Sequence, residues 1–154
     1  MAFYLLALFI GVVAGLRAFT APAAVSWAAN LGWLRLDDSW LAFFGYAWTP
    51  WILTLLALVE LVTDQLPSTQ SRTVPVQFGA RIVLGAVSAA GLGTAGGSLL
   101  LGAAAGVVGA VIGTLGGRTA RARLAATLGN DPPAALIEDA VAILAALLIV
   151  TAIP

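Results

Sequence analysis

Long apolar stretches separated by short polar breaks run the whole length of the chain. The first covers about 3–29 and is interrupted only by Arg17 and by Thr20-Ala21-Pro22. Pro22 has no N–H for the carbonyl of Ala18 and clashes with it, so the pattern predicts a helix broken near Pro22. Ala21-Pro22-Ala23 resembles a small-residue cleavage site. The preceding segment, however, lacks an N-terminal Lys or Arg and carries Arg17 within its apolar run, so it reads as a retained membrane helix. Residues 30–49 bring Arg35, Asp37 and Asp38, then Trp40, Phe43, Phe44, Tyr46 and Trp48. Amphipathic rings gather at the headgroup level, which marks an interfacial segment. Thr49-Pro50 reads as an N-cap followed by proline in the first turn, opening a second span at about 50–66. After the polar turn Pro67 to Arg72, the stretch from Val76 to Gly117 is too long for one crossing. It divides at Gly96-Gly97-Ser98 into spans at about 77–95 and 98–117. Arg118, Arg121 and Arg123 then form a basic loop, and Asp131-Pro132-Pro133 caps a fifth span at about 133–153.

Composition decides what solvent these spans face. Of 154 residues, 61% are hydrophobic and only 9% charged, against about 25% charged in soluble domains. At about 20 residues per crossing, the expected fold class is all-α: a polytopic membrane helix bundle of about five transmembrane helices. It forms one integral domain over 1–154, with the lipid bilayer as its partner. Loops 67–76 and 118–132 hold Arg72, Arg118, Arg121 and Arg123, whereas the other side holds only Arg35. The positive-inside rule makes that side cytoplasmic, and five crossings put the N-terminus there too, in the cell's inner membrane. A faint echo links Gly11-Val12-Val13-Ala14-Gly15 to Gly106-Val107-Val108-Gly109-Ala110, and Asn30-Leu31-Gly32 to Thr127-Leu128-Gly129. With spans one and four opposed, it would be a weak inverted repeat of the transporter kind.

Missing residue types narrow the chemistry. There is no Cys, His or Lys; all seven basic residues are Arg, balanced by seven acids. Thiolate and imidazole metal sites, Schiff bases and Ser-His or Ser-Lys pairs are therefore ruled out. The expectation is no enzyme, no metal and no cofactor. Without a basic stripe, nucleic acid is not an expected partner.

Six charged residues fall within or at the ends of the spans: Arg17, Glu60, Asp64, Arg81, Glu138 and Asp139. An ionisable group at a membrane helix centre costs about 2.5–3.5 kcal/mol on insertion scales, so these must face inward, pair or snorkel. Glu60, Asp64, Arg81, Glu138 and Asp139 can meet at one level from three helices. Arg17 stands apart, ~21 Å along the first span and beyond the midplane. Arg17 with Thr20 and the exposed backbone at the break would suit an anionic group; the alternative is an Arg tied to a neighbouring carboxylate. Glu60 with Asp64 would carry a coupling proton or cation, tuned by Arg81, or else serve as structural pairs or snorkelling ends. A third pattern is packing. Gly85, Ala89, Gly93 and Gly97 repeat every four residues, and Gly102, Gly106, Ala110, Gly113 and Gly117 continue the row, letting helices approach closely. Two helices cannot use that much small-residue surface on each other, so a homo-oligomer is expected.

The run from Gly11 to Ala23, followed by Trp27-Ala28-Ala29, resembles the bacterial membrane family catalogued as domain of unknown function 4126. Leu58 to Pro67, Ser71-Arg72-Thr73, Ala80-Arg81 and Leu136 to Ala140 are similar to it as well. The resemblance supports a membrane protein and implies no substrate. The charges, not the resemblance, suggest a small transporter or channel for an ion or small anionic solute, coupled to a proton or cation. The alternatives are a non-transporting assembly or scaffold protein, or a lipid-phosphate carrier or flippase.

Overall fold

The structure, a computed structural model, describes residues 1–66 and 71–154; residues 67–70 of the expected polar turn lie outside them. Among the described residues the secondary structure is helical. The helices are α1 (Ala2–Leu16), α2 (Thr20–Asn30), a short 3-10 helix (Trp40–Gly45), α3 (Thr49–Thr63), α4 (Pro75–Ala95), α5 (Leu99–Leu128) and α6 (Asp131–Thr151). By length and composition α4, α5 and α6 can cross a membrane, while α1 and α3 are shorter apolar helices. Their outer faces carry exposed apolar side chains such as Leu55, Val62, Leu100 and Leu148. This is the surface of a lipid-embedded helix bundle.

Glycine decides the packing. Gly11 and Gly15 of α1 lie backbone to backbone against Gly106, Gly109 and Gly113 of α5, while Gly93 of α4 lies against Gly102 from the other side. A Cβ on Gly109 would overlap the carbonyl oxygen of Leu8. Lost side-chain volume thus becomes close backbone approach, the main attraction available where lipid is as apolar as leucine. The α5 row therefore serves α1 and α4 together, and its surplus small-residue surface is used within one chain. Gly97 is a correction to the predicted packing row. It has φ 91° and open space where a Cβ would stand, so it makes the α4–α5 turn.

The predicted break near Pro22 falls at Arg17 to Phe19, with Arg17 in extended backbone. Pro22 itself sits in the first turn of α2, where its missing N–H has no intrahelical partner to lose. The break is also a reversal. Tyr4 Oη donates to Gly96 O at 2.8 Å, placing the start of α1 beside the α4–α5 turn, and Arg81 meets the end of α1. From there α2 returns, bringing Val25 beside Gly91 and Trp27 against Trp51 at the start of α3. The first apolar stretch is therefore a helical hairpin.

Two expectations change with it. Met1 lies at the α4–α5 turn, away from Arg72, Arg118 and Arg121, so the N-terminus does not share a side with the arginine-rich segments. The echoing segments of α1 and α5 run parallel and pack on each other, rather than being inverted. The second echo is helix-ending chemistry: Gly32 and Gly129 follow α2 and α5 with φ 79° and 72°, where glycine relieves the left-handed turn. One further difference matters for the site. Arg118, Arg121 and Arg123, expected in a loop, ride on the last turns of α5.

Candidate functional site: a charged layer at the helix break

Breaking a helix inside a bundle strands peptide groups, and here charged side chains take them up. Glu60 of α3 accepts from the backbone N–H groups of Ala18 and Phe19 at 2.7 and 2.9 Å. It thereby caps α2, whose own N-cap residue Phe19 has no side-chain oxygen to offer. Arg81 of α4 donates from Nη1 to the carbonyls of Gly15 and Leu16 at 3.0 and 2.8 Å, capping α1. A carboxylate on the N-terminal amides and a cation on the C-terminal carbonyls also match the two helix dipoles.

Arg17 lies between these caps and is fully buried. The expectation that it stands apart from the other charges is corrected: it is the centre of the layer. Its Nη1 meets Asp64 Oδ2 at 2.7 Å, its Nε meets Asp139 Oδ1 at 2.5 Å, and Nη2 pairs with Asp139 and approaches Glu138 at 3.6 Å. The rise along α1 is as expected, but the reversal adds a crossing, so α1 starts at the opposite end of the bundle and the same run brings Arg17 level with the ends of its neighbours. Arg81 Nη2 approaches Asp64 at 3.5 Å and Glu60 at 3.6 Å, so the predicted cluster of Arg81 with the inner carboxylates is present. Thr20 is buried too, but its hydroxyl makes no hydrogen bond. It lies at the break without joining the charge network.

Around this core a second tier assembles from residues that were not singled out. Arg72 binds Glu138 with two bonds of 2.5 and 2.9 Å. Arg121 binds Asp131 at 3.0 and 2.6 Å and approaches Glu138 at 3.6 Å. Gln65 donates to Asp139. The spacing Arg118-x-x-Arg121, followed by the helix formers Leu124-Ala125-Ala126, is the signal that could have extended α5 and put these arginines on one helical face. A cavity of about 630 Å³ opens at this end, reaching inward to Asp64 and Arg81 and walled by Arg72, Arg118 and Arg121.

Gly117 shows how tightly the layer is fitted: a Cβ there would stand 3.0 Å from Glu138 Oε1 and would overlap the Leu16 side chain. The packing row of α5 thus ends by making room for the ion pairs. From Leu99 to Gly117 the rise is about 27 Å, close to the ~30 Å hydrocarbon thickness. The layer therefore lies near one edge of the apolar slab, where charges cost less than at its centre.

A family model described as "Domain of unknown function (DUF4126)" matches residues 4–153. The chain belongs to that family. The match takes in the hairpin from Tyr4 onward, the charged layer and the cavity that forms a vestibule to it, so the site is contained in the family's domain. No curated protein and no solved structure matched the chain.

Proposed function

We propose that this protein is a small transporter that moves an ion or small anionic solute across the cytoplasmic membrane, coupled to a proton or cation. One observation carries the reading: the hairpin break lies inside the bundle, capped by Glu60 and Arg81, at the inner end of the open vestibule. Irregular backbone away from bulk water persists where protein buries it or where it lines a cavity, and the Arg17–Phe19 reversal is held by buried charges that border the vestibule. The charge count supports coupling. Arg17 and Arg81 face Glu60, Asp64 and Asp139 in the deep layer, leaving one carboxylate in excess. That carboxylate is Glu60, held mainly by backbone N–H groups.

Arg17 is enclosed and already bonded, so in this reading the arriving anion meets the vestibule arginines and Arg17 ties the helices together. A flippase acting through Arg17 loses its lipid access for the same reason. The arginine-rich end faces the cytoplasm under the positive-inside rule, and both termini face outward. The reading includes no enzymatic step. A homo-oligomer stays within it through α3, most of whose apolar surface is uncovered. An assembly protein is the second reading, favoured by the near-complete pairing of the buried charges.

Purified protein in liposomes, assayed for proton, sodium and anion flux, tests the proposal. Wild type should carry flux, and Glu60→Gln should still insert while losing the flux or its pH dependence. Absence of flux for every ion, from folded protein, would overturn transport in favour of assembly.

A further inference from the structure

The vestibule is walled mainly by hydrogen-bond donors. Ser71, Gln77, Arg72, Arg118 and Arg121 face it, against the carboxylates of Asp64 and Asp131. Asp64 is engaged by Arg17 and Arg81. Asp131 holds Arg121, but its side chain is 59% exposed, and water competes with a pair so placed. Arg118 is the least satisfied cation of the wall. Its guanidinium reaches the Thr73 hydroxyl at 3.4 Å and meets no carboxylate within ion-pair distance among the described residues. Arg118 and Arg121 share a face of α5 at i, i+3. Arg72 is drawn beside them because it and Arg121 both reach Glu138. Three guanidinium groups from two segments of the chain thus crowd the mouth of one concave space. Glu138 and Asp131 balance Arg72 and Arg121, and Arg118 adds the positive charge that an anion relieves.

We propose that this vestibule binds a phosphate group, carried by a small phosphate ester or by a lipid headgroup. Planar guanidinium forks match the oxygens of phosphate pairwise. Among the described residues Arg118 offers a guanidinium free of any carboxylate, and Arg121 one hydrogen-bonded only to the exposed Asp131. Two neighbouring forks on one helix face can thus take a tetrahedral anion, while Arg72 stays bonded to Glu138 and contributes charge beside them. The volume exceeds what bare phosphate fills and lies within the roughly 300–1,000 Å³ of small-molecule pockets, leaving room for an organic body. Asp131 acts as a resident competitor that the phosphate displaces from Arg121. The role of this group as cargo rests on the transport reading; its binding does not.

The test uses the full chain in phosphatidylcholine nanodiscs, titrated calorimetrically with inorganic phosphate and with glycerol 3-phosphate. A parallel arm replaces part of the lipid with phosphatidic acid. Saturable one-to-one binding is expected, weakened about tenfold by Arg118→Gln, the scale of one lost charge-assisted hydrogen bond. Asp131→Asn should strengthen binding by removing the competitor, and Arg123→Gln, at the same end but outside the wall, should leave it unchanged. None of the three substitutions cuts the deep layer around Arg17, and unfolding midpoints confirm that each variant is folded. Binding of the soluble ester identifies a water-borne ligand; protection of the site by phosphatidic acid alone identifies a headgroup. No binding in either arm would overturn the site, as would equal weakening by Arg118→Gln and Arg123→Gln, or weaker binding in Asp131→Asn. Phosphate binding without flux removes transport and leaves the site. Flux of another ion without phosphate binding does the reverse.

Discussion

Replacing Arg17 with methionine would leave Asp64 and Asp139 facing each other in a buried layer, with Arg81 as the nearest remaining cation. Removing one partner of a buried ion pair costs about 3–5 kcal/mol, and Arg17 serves two carboxylates at once. Thermal unfolding in detergent should show a loss of at least that order for Arg17→Met. Arg17→Lys should recover only part of it, because one ammonium cannot reproduce a fork that bonds different carboxylates from different nitrogens. Full stability in either variant would mean that the carboxylates are protonated or hydrated, and the network would lose its structural role. Glu60 differs from Arg17 at this scale. Its main partners are two amides, and Arg81 keeps Asp64 if Glu60 is neutralised. The structural cost of Glu60→Gln should therefore be nearer the ~1 kcal/mol of a lost helix cap, leaving a folded protein for the flux assay.

Among the elements, α5 carries the most varied duties. Its early glycines receive α4, its middle ones receive α1, and its last turns carry the vestibule arginines. Gly109 and Gly116 separate packing from helix propensity on this one helix. Gly109→Ala would push a methyl group into the Leu8 carbonyl, a backbone atom with no rotamer to yield, and should cost about 1–3 kcal/mol or more as overpacking. Gly116 has open space at its Cβ position, so Gly116→Ala should be neutral or stabilising by up to about 1 kcal/mol. Equal effects in unfolding experiments would refute the α1–α5 contact. By contrast α3 buries only Pro50 and Ala57 and is held through α2 and its charged end. It is the element most dependent on the polar layer.

For the whole molecule, the hairpin sets the topology. Both termini lie at the end of the bundle that holds the α4–α5 turn, and the arginine-rich vestibule lies at the other. Reporters fused to the two ends should therefore register the same compartment. A single cysteine at Thr119, introduced into a chain with no cysteine of its own, should be labelled from the opposite side. Opposite results at the two termini would rule out the hairpin. Native mass spectrometry in mild detergent addresses assembly at the same scale. A second copy on α3 predicts an oligomer that Leu55→Arg or Leu58→Arg dissolves, whereas monomer alone with flux intact would remove the homo-oligomer.

Local chemistry was enough to determine the membrane class, the helical segments and the identity of the charged residues. Apolar run lengths and the prolines Pro50, Pro132 and Pro133 act within a few residues of themselves, so the sequence shows the helix starts directly. The expected caps Thr49 and Asp131 are corrected: both lie in the first turn, behind Trp48 and Asn130, with no side-chain cap bond. Even the break near Pro22 was legible, because proline's conflict is with its own helix. Chain direction after the break was not: whether α2 continues or returns depends on which neighbours bury Val25 and Ala28, and those come from distant segments. That one choice moved Arg17 from an isolated depth to the centre of the charged layer and reversed the side of the N-terminus. It also gave the α5 glycines a partner in α1. The second tier was hidden for a related reason. Arg72 and Arg121 are ordinary end-of-span charges until packing sets both against Glu138, because ion pairs depend on distance in space and the sequence records only distance along the chain.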